Sequence, residues 1–386
     1  MKILMQQWAY YPWVGGAEIF TQHLAEYMVA KGHQVDIVTG MLGQPSIEYA
    51  DWRKEVDVIN GVNVYRVKVP GIKYAGVLAG VLRMFARSLK LDSQYDYDFI
   101  HSHIYPAMVC GALSKRNKKL LITLQGGDIG EFKESARLIR TLETPSIIWT
   151  LRRADLVHCV STYLAEAAKR LGAGNVAVVP NGVDTSVFRP LDRHQLREKL
   201  GYNAKEKIIV STSRLTPKNG MDYLIKAIKP LGNVKLIIIG EGEQRKSLEN
   251  LVRSLKMKNR VILLGALPHR ELPQYLAIAD AFCRPSVNEG FGISFIESMA
   301  CRIPTIGTAV GGITDIINNG ENGMLVPPED PGTLSKAIQK VIEDGTMAKR
   351  IAANGYQTVK EKFTWERVLK DMEDVYQILA SDRAAA

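Results

Sequence analysis

Apolar residues occur along this chain in two alternating patterns, short continuous runs and longer segments with helical spacing. The short runs predict buried strands, and the amphipathic segments between them predict helices. Residues 2–5 predict a strand, Gly15 and Gly16 lie in the following loop, 17–31 predict a helix, and 35–39 predict a second strand. This succession opens a doubly wound α/β domain, in which the glycine loop after the first strand can hold a phosphate.

The same succession starts again near residue 207. Residues 207–213, 234–239 and 261–265 predict strands, a helix follows from Met221, and 277–283 predict a short buried strand before a loop rich in glycine. Because strands alternate with helical segments in this half as well, a second parallel α/β sheet is expected.

The length of 386 residues fits two domains. We expect Rossmann-like domains at residues 1–190 and 191–365, with 188–198 as a charged linker. The last amphipathic segment, about 366–386, is expected to cross back and complete the first domain. Clefts beside such sheets bind ligands at the carboxyl ends of the strands.

Basic residues are concentrated in one segment of a chain whose net charge is +10. No acidic residue lies between Asp57 and Asp92, where the basic residues are Arg66, Lys68, Lys73, Arg83, Arg87 and Lys90. Residues 56–69 predict a hairpin around Asn60-Gly61, and 74–91 predict an amphipathic helix. That helix can rest on an anionic membrane surface, or it can pack its apolar face on the core and leave a solvated basic face. Peripheral membrane contact of residues 66–90 is one expectation, and nucleic acid is not an expected partner.

Composition excludes several classes of protein. Hydrophobic residues make up 46% of the chain, but no run is long enough to predict a membrane-spanning helix. The first residues turn polar too early for a signal peptide. The four cysteines have no paired spacing, so buried reduced thiols, a cytoplasmic location and no metal site are expected.

The stretch from Arg284 to Ala300 carries the most specific chemistry. Gly290 and Gly292 let the backbone come close to a ligand, and the first helical turn from Ile293 offers free N–H groups to an anion. Glu289 lies in the loop and Glu297 lies in the helix. Backbone amides for a phosphate and two carboxylates for hydroxyl groups together predict a nucleotide-sugar site.

This stretch resembles the signature of the retaining glycosyltransferases of family 4, with its two glutamates separated by seven residues. The text from Ile303 to Asp315 is also similar to that family. The resemblance implies the GT-B architecture, with the donor nucleotide in the second domain and the acceptor against the first. It also implies that no cofactor or metal is needed besides the nucleotide sugar itself.

The resemblance assigns the donor side of the site. It implies that Glu289 binds sugar hydroxyls, Glu297 binds the ribose, and Arg214 and a lysine neutralise the diphosphate. The lysine commonly lies five residues after the arginine, where this chain has Asn219, and Lys218 lies one place earlier. Further donor-binding residues are expected at Gly15, Gly16, Asn219, Leu267, Gly290, Phe291, Gly292, Ile293 and Glu297.

The first domain contributes the remaining candidates. His103 ends the predicted strand 98–103, and the resemblance implies that it points at the reaction centre. Tyr10 and Trp13, in an aromatic loop, and Asp128 are acceptor-binding candidates. Relatives often have a histidine where this chain has Gln125. Asp96 and Asp98 have the spacing of the Asp-x-Asp motif of metal-dependent glycosyltransferases. Metal-binding carboxylates should lie beside the donor, whereas Asp98 starts a strand, so this interpretation is rejected.

Together these features predict a retaining glycosyltransferase that moves a hexose from a UDP- or GDP-sugar to a glycan, lipid-linked or small-molecule acceptor without metal. His103, Glu289, Arg214 and Lys218 are the catalytic candidates. The alternatives are a nucleotide-sugar epimerase or hydrolase on the same fold, and a non-catalytic binder of nucleotide sugars or polyanions. A dehydrogenase fits less well, because Arg245 replaces the third glycine of the fingerprint-like segment from Gly240.

Overall fold

A computed structural model describes residues 1–13, 15–43, 52–126 and 137–381, without the side chains of 73 and 137–143. The chain divides into two compact units, Met1–Asn181 with Val368–Ala386, and Gly182–Arg367. The sequence placed these boundaries at residues 190 and 365. Each unit is an α/β domain built on its own sheet.

Unit 1 is built on an eight-stranded sheet with the order β3-β4-β2-β1-β5-β6-β7-β8 among its described residues. Its strands are β1 Lys2–Gln7, β2 Gln34–Met41, β3 Val56–Ile59, β4 Val62–Lys68, β5 Phe99–His103, β6 Lys119–Leu124, β7 Leu156–Cys159 and β8 Val176–Val178. All neighbours run parallel except β3 and β4, which form the predicted hairpin. β5 is buried at every position, as expected where helices cover both faces of a parallel sheet.

Helices connect these strands, and those that the apolar spacing predicts at 17–31 and 74–91 are among them. They are α1 Gly16–Ala30, α2 Lys73–Tyr95, α3 Ala107–Ser114, α4 Arg137–Arg153 and α5 Thr162–Arg170. The side chain of Ser161 caps α5 by accepting a hydrogen bond from the Leu164 amide. The four cysteines are buried and form no disulfide, as predicted.

Unit 2 is built on a six-stranded parallel sheet with the order β11-β10-β9-β12-β13-β14. Its strands are β9 Lys207–Thr212, β10 Val234–Ile239, β11 Val261–Gly265, β12 Ala281–Arg284, β13 Thr305–Thr308 and β14 Met324–Val326. Its helices are α6 Arg193–Lys199, α7 Met221–Ile228, α8 Arg245–Ser254, α9 Leu272–Ile278, α10 Ile293–Ala300, α11 Ile313–Ile316, α12 Pro331–Glu343 and α13 Gly345–Lys362. The strand order changes direction between β9 and β12, and the loops after these two strands carry the candidate donor residues.

The last helix, α14 Trp365–Ser381, starts in unit 2 and continues in unit 1 from Val368 onward. Its apolar side, which includes Val368, Met372, Tyr376 and Leu379, is buried. The Tyr27 hydroxyl of α1 donates to the Glu373 carboxylate over 2.8 Å. The predicted return of the chain to the first domain therefore packs an amphipathic helix on the unit 1 sheet.

Two predictions from the pattern were wrong. Residues 193–199 of the expected linker form α6, because Asp192 caps the helix and Arg197 is buried. The Arg197 guanidinium donates to the carbonyls of Ile278 and Ala204, so a charged run is here part of the packed structure. In the expected strand 277–283, the first residues instead end α9, and β12 starts only at Ala281.

No helix in the described part of the chain is long and apolar enough to cross a membrane. The surface of α2 is nevertheless apolar along one line. Tyr74, Leu78 and Leu82 recur every four residues with exposures of 64%, 62% and 52%, and Ile72 before the helix is 68% exposed. The helix buries Val81 and Met84 on its other side. One face of α2 therefore packs on the core, and an apolar line on another face stays exposed.

Candidate active site

In unit 2 the loop after β9 and the loop after β12 are locked together by their backbones. The Lys218 carbonyl accepts hydrogen bonds from the amides of Val287 and Asn288 over 2.6 and 3.4 Å. Gly220 has a positive φ of 67°, and a Cβ there would lie 2.1 Å from the Pro285 carbonyl oxygen. A glycine is needed for this close approach. The loop with the two candidate cations and the loop with the candidate acids are therefore joined directly through their backbones.

Glu289 is paired with a residue that the sequence interpretation left without a role. Its carboxylate accepts a short hydrogen bond from the guanidinium of Arg284, the last residue of β12. The two side chains are only 11% and 12% exposed. Arg284 also donates to Ser294 Oγ over 2.9 Å and to Asn219 Oδ1 over 2.8 Å. A basic residue at the end of an apolar strand was the available signal for this partner.

Asn219 lies where family members commonly have a lysine, and its amide is used within the protein. Its Nδ2 donates to the Arg214 carbonyl over 2.7 Å, and its Oδ1 accepts from Arg284. The residue is 2% exposed. Asn219 therefore connects the loop of the candidate cations to the Arg284–Glu289 pair.

Of the two candidate cations, Arg214 is exposed and Lys218 is half-buried. No ion pair of the Arg214 guanidinium occurs with any residue that the structure describes. Lys218 lies in a single 3-10 turn, Pro217–Asn219, that ends at Gly220. Both side chains thus start from a loop whose backbone is fixed by Asn219 and by the loop after β12.

The start of α10 has the backbone that the glycines predict. Gly292 has a φ of 101°, and a Cβ there would lie 2.6 Å from the Phe295 ring. Phe291 is buried against Phe363, with ring centroids 5.9 Å apart. Ile293 is the first residue of the helix, and its amide is among those that have no partner within the helix. Glycine is required here by backbone conformation and packing.

The carbonyl of Glu289 is fixed by two glycines of the segment that also resembles the family. It accepts a hydrogen bond from the Gly312 amide over 3.1 Å. A Cβ on Gly311 would lie 2.0 Å from the same oxygen. The loop 285–293, called the acid loop, is therefore held by the Lys218 carbonyl and also by the segment of Gly311 and Gly312.

Glu297 is 6% exposed, so it is a buried helix residue and not a solvated one. Its Oε1 lies 2.6 Å from His269 Nε2. Burial lowers the pKa of His269, but the hydrogen bond and charge of Glu297, with the charge of Asp184, outweigh it and raise the pKa above 6.5. Leu267 lies half-buried two residues before His269. The sequence interpretation did not include His269, because the pair is 28 residues apart.

In unit 1, His103 ends β5 and is completely buried. The Thr21 hydroxyl donates to the Ala17 carbonyl over 2.9 Å, so it accepts from His103 Nδ1 over 3.1 Å. Burial, with a smaller effect of His158, lowers the pKa of His103 to about 3, which keeps the ring neutral. The proton therefore lies on Nδ1, and Nε2 carries a lone pair without a partner among the described residues.

Behind His103 a chain of hydrogen bonds crosses the sheet. His158 Nε2 must donate to the Val179 carbonyl, which lies 2.8 Å away, so its Nδ1 accepts from the Thr123 hydroxyl over 2.9 Å. Thr123 then accepts from His101 Nε2, and His101 Nδ1 accepts from the Tyr376 hydroxyl, both over 2.6 Å. Burial lowers the pKa of His101 and His158, so both rings are neutral and each carries one proton. The Val179 carbonyl therefore fixes the tautomer of both rings and the direction of each hydrogen bond between them.

The aromatic loop after β1 is held by unit 1 itself. Tyr10 is completely buried, and the Tyr11 carbonyl accepts from buried Arg66 over 3.2 Å. The Trp13 ring packs edge-on against Trp52 with centroids 5.7 Å apart. Gly15 precedes α1 in an extended conformation, and a Cβ there would meet the Glu18 carboxylate at 2.3 Å, the flexible end of a side chain. Gly16 is the first residue of that helix.

Asp128 lies outside the described residues. Gln125 follows β6 and is half-buried. Asp98 accepts from the Lys2 amide over 2.8 Å, and Asp96 forms an ion pair with Lys118, so these two carboxylates hold the edge of the sheet. Among the residues that the structure describes, no group of three histidine, cysteine or acidic side chains could hold a metal ion.

The segment from Gly240 resembles half of a dinucleotide fingerprint in sequence. Arg245 at its end donates to the carboxylates of Glu241 and Glu249 and to the Leu263 carbonyl over 3.1 Å. A Cβ on Gly240 would lie 1.9 Å from the Ser213 carbonyl oxygen. The glycine thus serves the packing of two loops, and the arginine is fixed by protein groups.

Two family descriptions match the chain, Glycosyltransferase Family 4 over residues 14–187 and Glycosyl transferases group 1 over residues 192–358. The glycosyltransferase MJ1607 of Methanocaldococcus jannaschii is 30% identical, with 98% of each chain covered. The N-acetyl-alpha-D-glucosaminyl L-malate synthase of Bacillus anthracis is 25% identical, with 97% of each covered.

Solved structures share the fold. Sucrose-phosphate synthase from Thermosynechococcus elongatus superimposes with a TM-score of 0.86 at 23% identity, with 100% of both chains covered. Anabaena HepE in complex with UDP-glucose gives 0.80 at 24% identity, with 98% of this chain and 99% of that chain covered. The two sheets, the acid loop and the sequence similarity all indicate the same family. The chain belongs to the group 1 glycosyltransferases of family 4, which have the GT-B fold.

Proposed function

We propose that this protein transfers a hexose from a UDP- or GDP-sugar to a hydroxyl-bearing acceptor, with retention of anomeric configuration and without metal. The observation that carries the proposal is the backbone bonding of Lys218 to Val287 and Asn288, which joins a cation-bearing loop to an acid-bearing loop in unit 2. A diphosphate needs the cations of the first loop, and a sugar needs the carboxylates of the second loop. HepE, which shares the fold, binds UDP-glucose.

In this proposal the charge that develops on the leaving diphosphate is stabilised by Arg214, Lys218 and the amides at the start of α10. Preorganised donors of this kind supply a large share of the rate enhancement in group transfer. The C1–O bond to the diphosphate breaks, and a bond from C1 to the acceptor oxygen forms on the same face. The acceptor hydroxyl proton passes to the diphosphate oxygen, so atoms and charge balance without a covalent enzyme intermediate.

Glu289 binds the hydroxyls of the transferred sugar in this proposal. Its Oε2 is held by Arg284, which fixes the direction of the carboxylate, and Oε1 is left for the sugar. Glu297 binds the ribose in this proposal. Its Oε1 already contacts His269, so the ribose hydroxyls either displace His269 from Oε1 or bind to Oε2. Neutral His103 accepts a hydrogen bond from the reacting sugar through Nε2.

The test is release of nucleoside diphosphate from UDP-glucose, UDP-N-acetylglucosamine and GDP-mannose, with L-malate or D-inositol 3-phosphate as trial acceptors. Product analysis for free sugar or an epimer separates transfer from the hydrolase and epimerase alternatives. Arg214→Met and Glu289→Gln should lower kcat by about 100-fold or more. Arg350→Met and Glu343→Gln, on the surface of the same unit, are matched controls that should keep wild-type rates. Full activity in Glu289→Gln would remove the assignment.

We also propose that unit 1 contacts an anionic membrane through α2, which suits a lipid-linked acceptor. The exposed line of Tyr74, Leu78 and Leu82 lies in the acid-free basic segment, beside exposed Lys68 and Arg83. Apolar insertion and basic attraction together stabilise such contacts.

Flotation with phosphatidylglycerol vesicles at low salt tests the membrane contact. Wild type should bind these vesicles and not phosphatidylcholine vesicles, and Leu78→Ser with Leu82→Ser should abolish binding. Ile378→Ser on α14, an exposed apolar residue at 61%, is the control that should bind normally. Absence of wild-type binding to the anionic vesicles would end this proposal.

A further inference from the structure

Two polar side chains at the carboxyl edge of the unit 1 sheet have buried atoms without hydrogen-bond partners among the described residues. They are the amide of Gln7 and Nε2 of His103, and both residues are 0% exposed. Buried polar atoms are nearly always paired in folded proteins, so two unpaired side chains at one place need an explanation.

Gln7 and His103 are direct neighbours. They are the last residues of β1 and β5 and pair in register in the parallel ladder. Residues paired in this way point to the same face of the sheet, on strands about 4.8 Å apart. His103 presents a lone pair at Nε2, since Thr21 holds its proton at Nδ1. A Gln7 amide beside it supplies N–H donors.

Gln6, the preceding residue, shows that this strand can satisfy a buried glutamine completely. On the opposite face, Gln6 Nε2 donates to the hydroxyls of Ser88 and Ser114 over 2.8 and 3.3 Å. Its Oε1 accepts from the Ser102 hydroxyl over 2.8 Å. The unpaired amide of Gln7 is therefore not a property of the strand or of the residue type.

We propose that Gln7 and His103 Nε2 form a two-point site for one sugar hydroxyl, with Gln7 as a specificity-determining residue. The hydroxyl donates to Nε2 of His103 and accepts from the amide of Gln7. A hydroxyl is the group that needs one acceptor and one donor side by side. This inference rests on the proposed sugar transfer and adds a residue to it.

Stability separates a binding residue from a structural one. Gln7→Leu removes two unpaired buried atoms and keeps the volume, so Tm should stay unchanged or rise by about 2–4 °C. Gln6→Leu, the matched variant on the other face, leaves three serine hydroxyls without their partner and should lower Tm. A fall for Gln7→Leu as large as that for Gln6→Leu would overturn the inference.

Binding then identifies the source of the hydroxyl. UDP, GDP, UDP-glucose, UDP-N-acetylglucosamine and GDP-mannose are titrated into wild type first. If the hydroxyl belongs to the donor sugar, Gln7→Leu weakens binding of the nucleotide sugar about tenfold and leaves binding of the bare nucleotide unchanged. If it belongs to the acceptor, donor binding is unchanged and KM for the acceptor rises by a similar factor. Unchanged donor binding and unchanged acceptor KM would overturn the inference.

Measurements on the wild type distinguish failure of the proposed sugar transfer from failure of the hydroxyl site at Gln7. Wild type that binds none of the nucleotides or nucleotide sugars and releases no diphosphate would remove the proposed function, and the hydroxyl site with it. Wild type that turns over a donor while Gln7→Leu does so with the same kcat and KM would remove only the role of Gln7.

Discussion

Replacing Arg284 by methionine should destabilise unit 2 strongly, because it leaves the Glu289 carboxylate buried without its cation. Both side chains are almost 90% buried, at 12% and 11% exposure, so solvent screens the pair little. Breaking such a pair by removing one partner costs about 3–5 kcal/mol. The variant also leaves Asn219 Oδ1 and Ser294 Oγ without their donor, which adds to the loss.

The double variant Arg284→Met with Glu289→Gln isolates the interaction between the two side chains. Glu289→Gln removes the charge that Arg284 compensates, so Arg284→Met should cost about 2 kcal/mol less in that background than in wild type. Differential scanning calorimetry of the full chain measures all four proteins. At about 2–4 °C per kcal/mol, Arg284→Met should lower the unit 2 transition by about 6–20 °C. A cost within about 0.5 kcal/mol of zero, or additive effects in the double variant, would refute the pairing.

Three further predictions concern protonation. The raised pKa of His269 stabilises the fold below about pH 6.5 and this stabilisation is lost as pH rises through the folded pKa, so the Tm loss in Glu297→Gln should be larger at pH 5.5 than at about pH 8.5. Equal losses at both pH values would contradict this. Burial raises the pKa of Asp280, but the Ile208 amide and the nearby arginines outweigh it and lower the pKa below 3.8, so Asp280→Asn should cost stability at neutral pH and progressively less below about pH 4. A gap that stays constant down to about pH 2 would count against the assignment. Long-range proton–nitrogen spectra should show His103 as the Nδ1–H tautomer in wild type and a changed tautomer ratio in Thr21→Val, and an Nε2–H wild type would refute the orientation of the Thr21 hydroxyl.

How far the sequence predicts this protein depends on the distance over which its residues interact. β10 and β11 match their apolar runs residue for residue, and α10 starts at Ile293 as the glycines indicate. These are local patterns. The linker prediction failed because charge was taken as exposure, although Asp192 is an N-cap signal and marks α6.

The partners in the candidate site could not be predicted in the same way. His101 bonds Tyr376, 275 residues away, and His269 bonds Glu297 across 28 residues. Only the folded sheet and helices bring such residues together, and a single sequence contains no pattern for them. Gln7 has no motif at all, and it becomes notable only because its amide is buried and unpaired while that of Gln6 is not.

In the proposed function, the loops 214–220 and 285–293 of unit 2 together hold one nucleotide sugar. A crystal structure with UDP-glucose or GDP-mannose would show whether they do. The diphosphate is expected within hydrogen-bond distance of Arg214, Lys218 and the amides at the start of α10, with a sugar hydroxyl on Glu289. A donor bound elsewhere, or one whose diphosphate touches none of these groups, would contradict it.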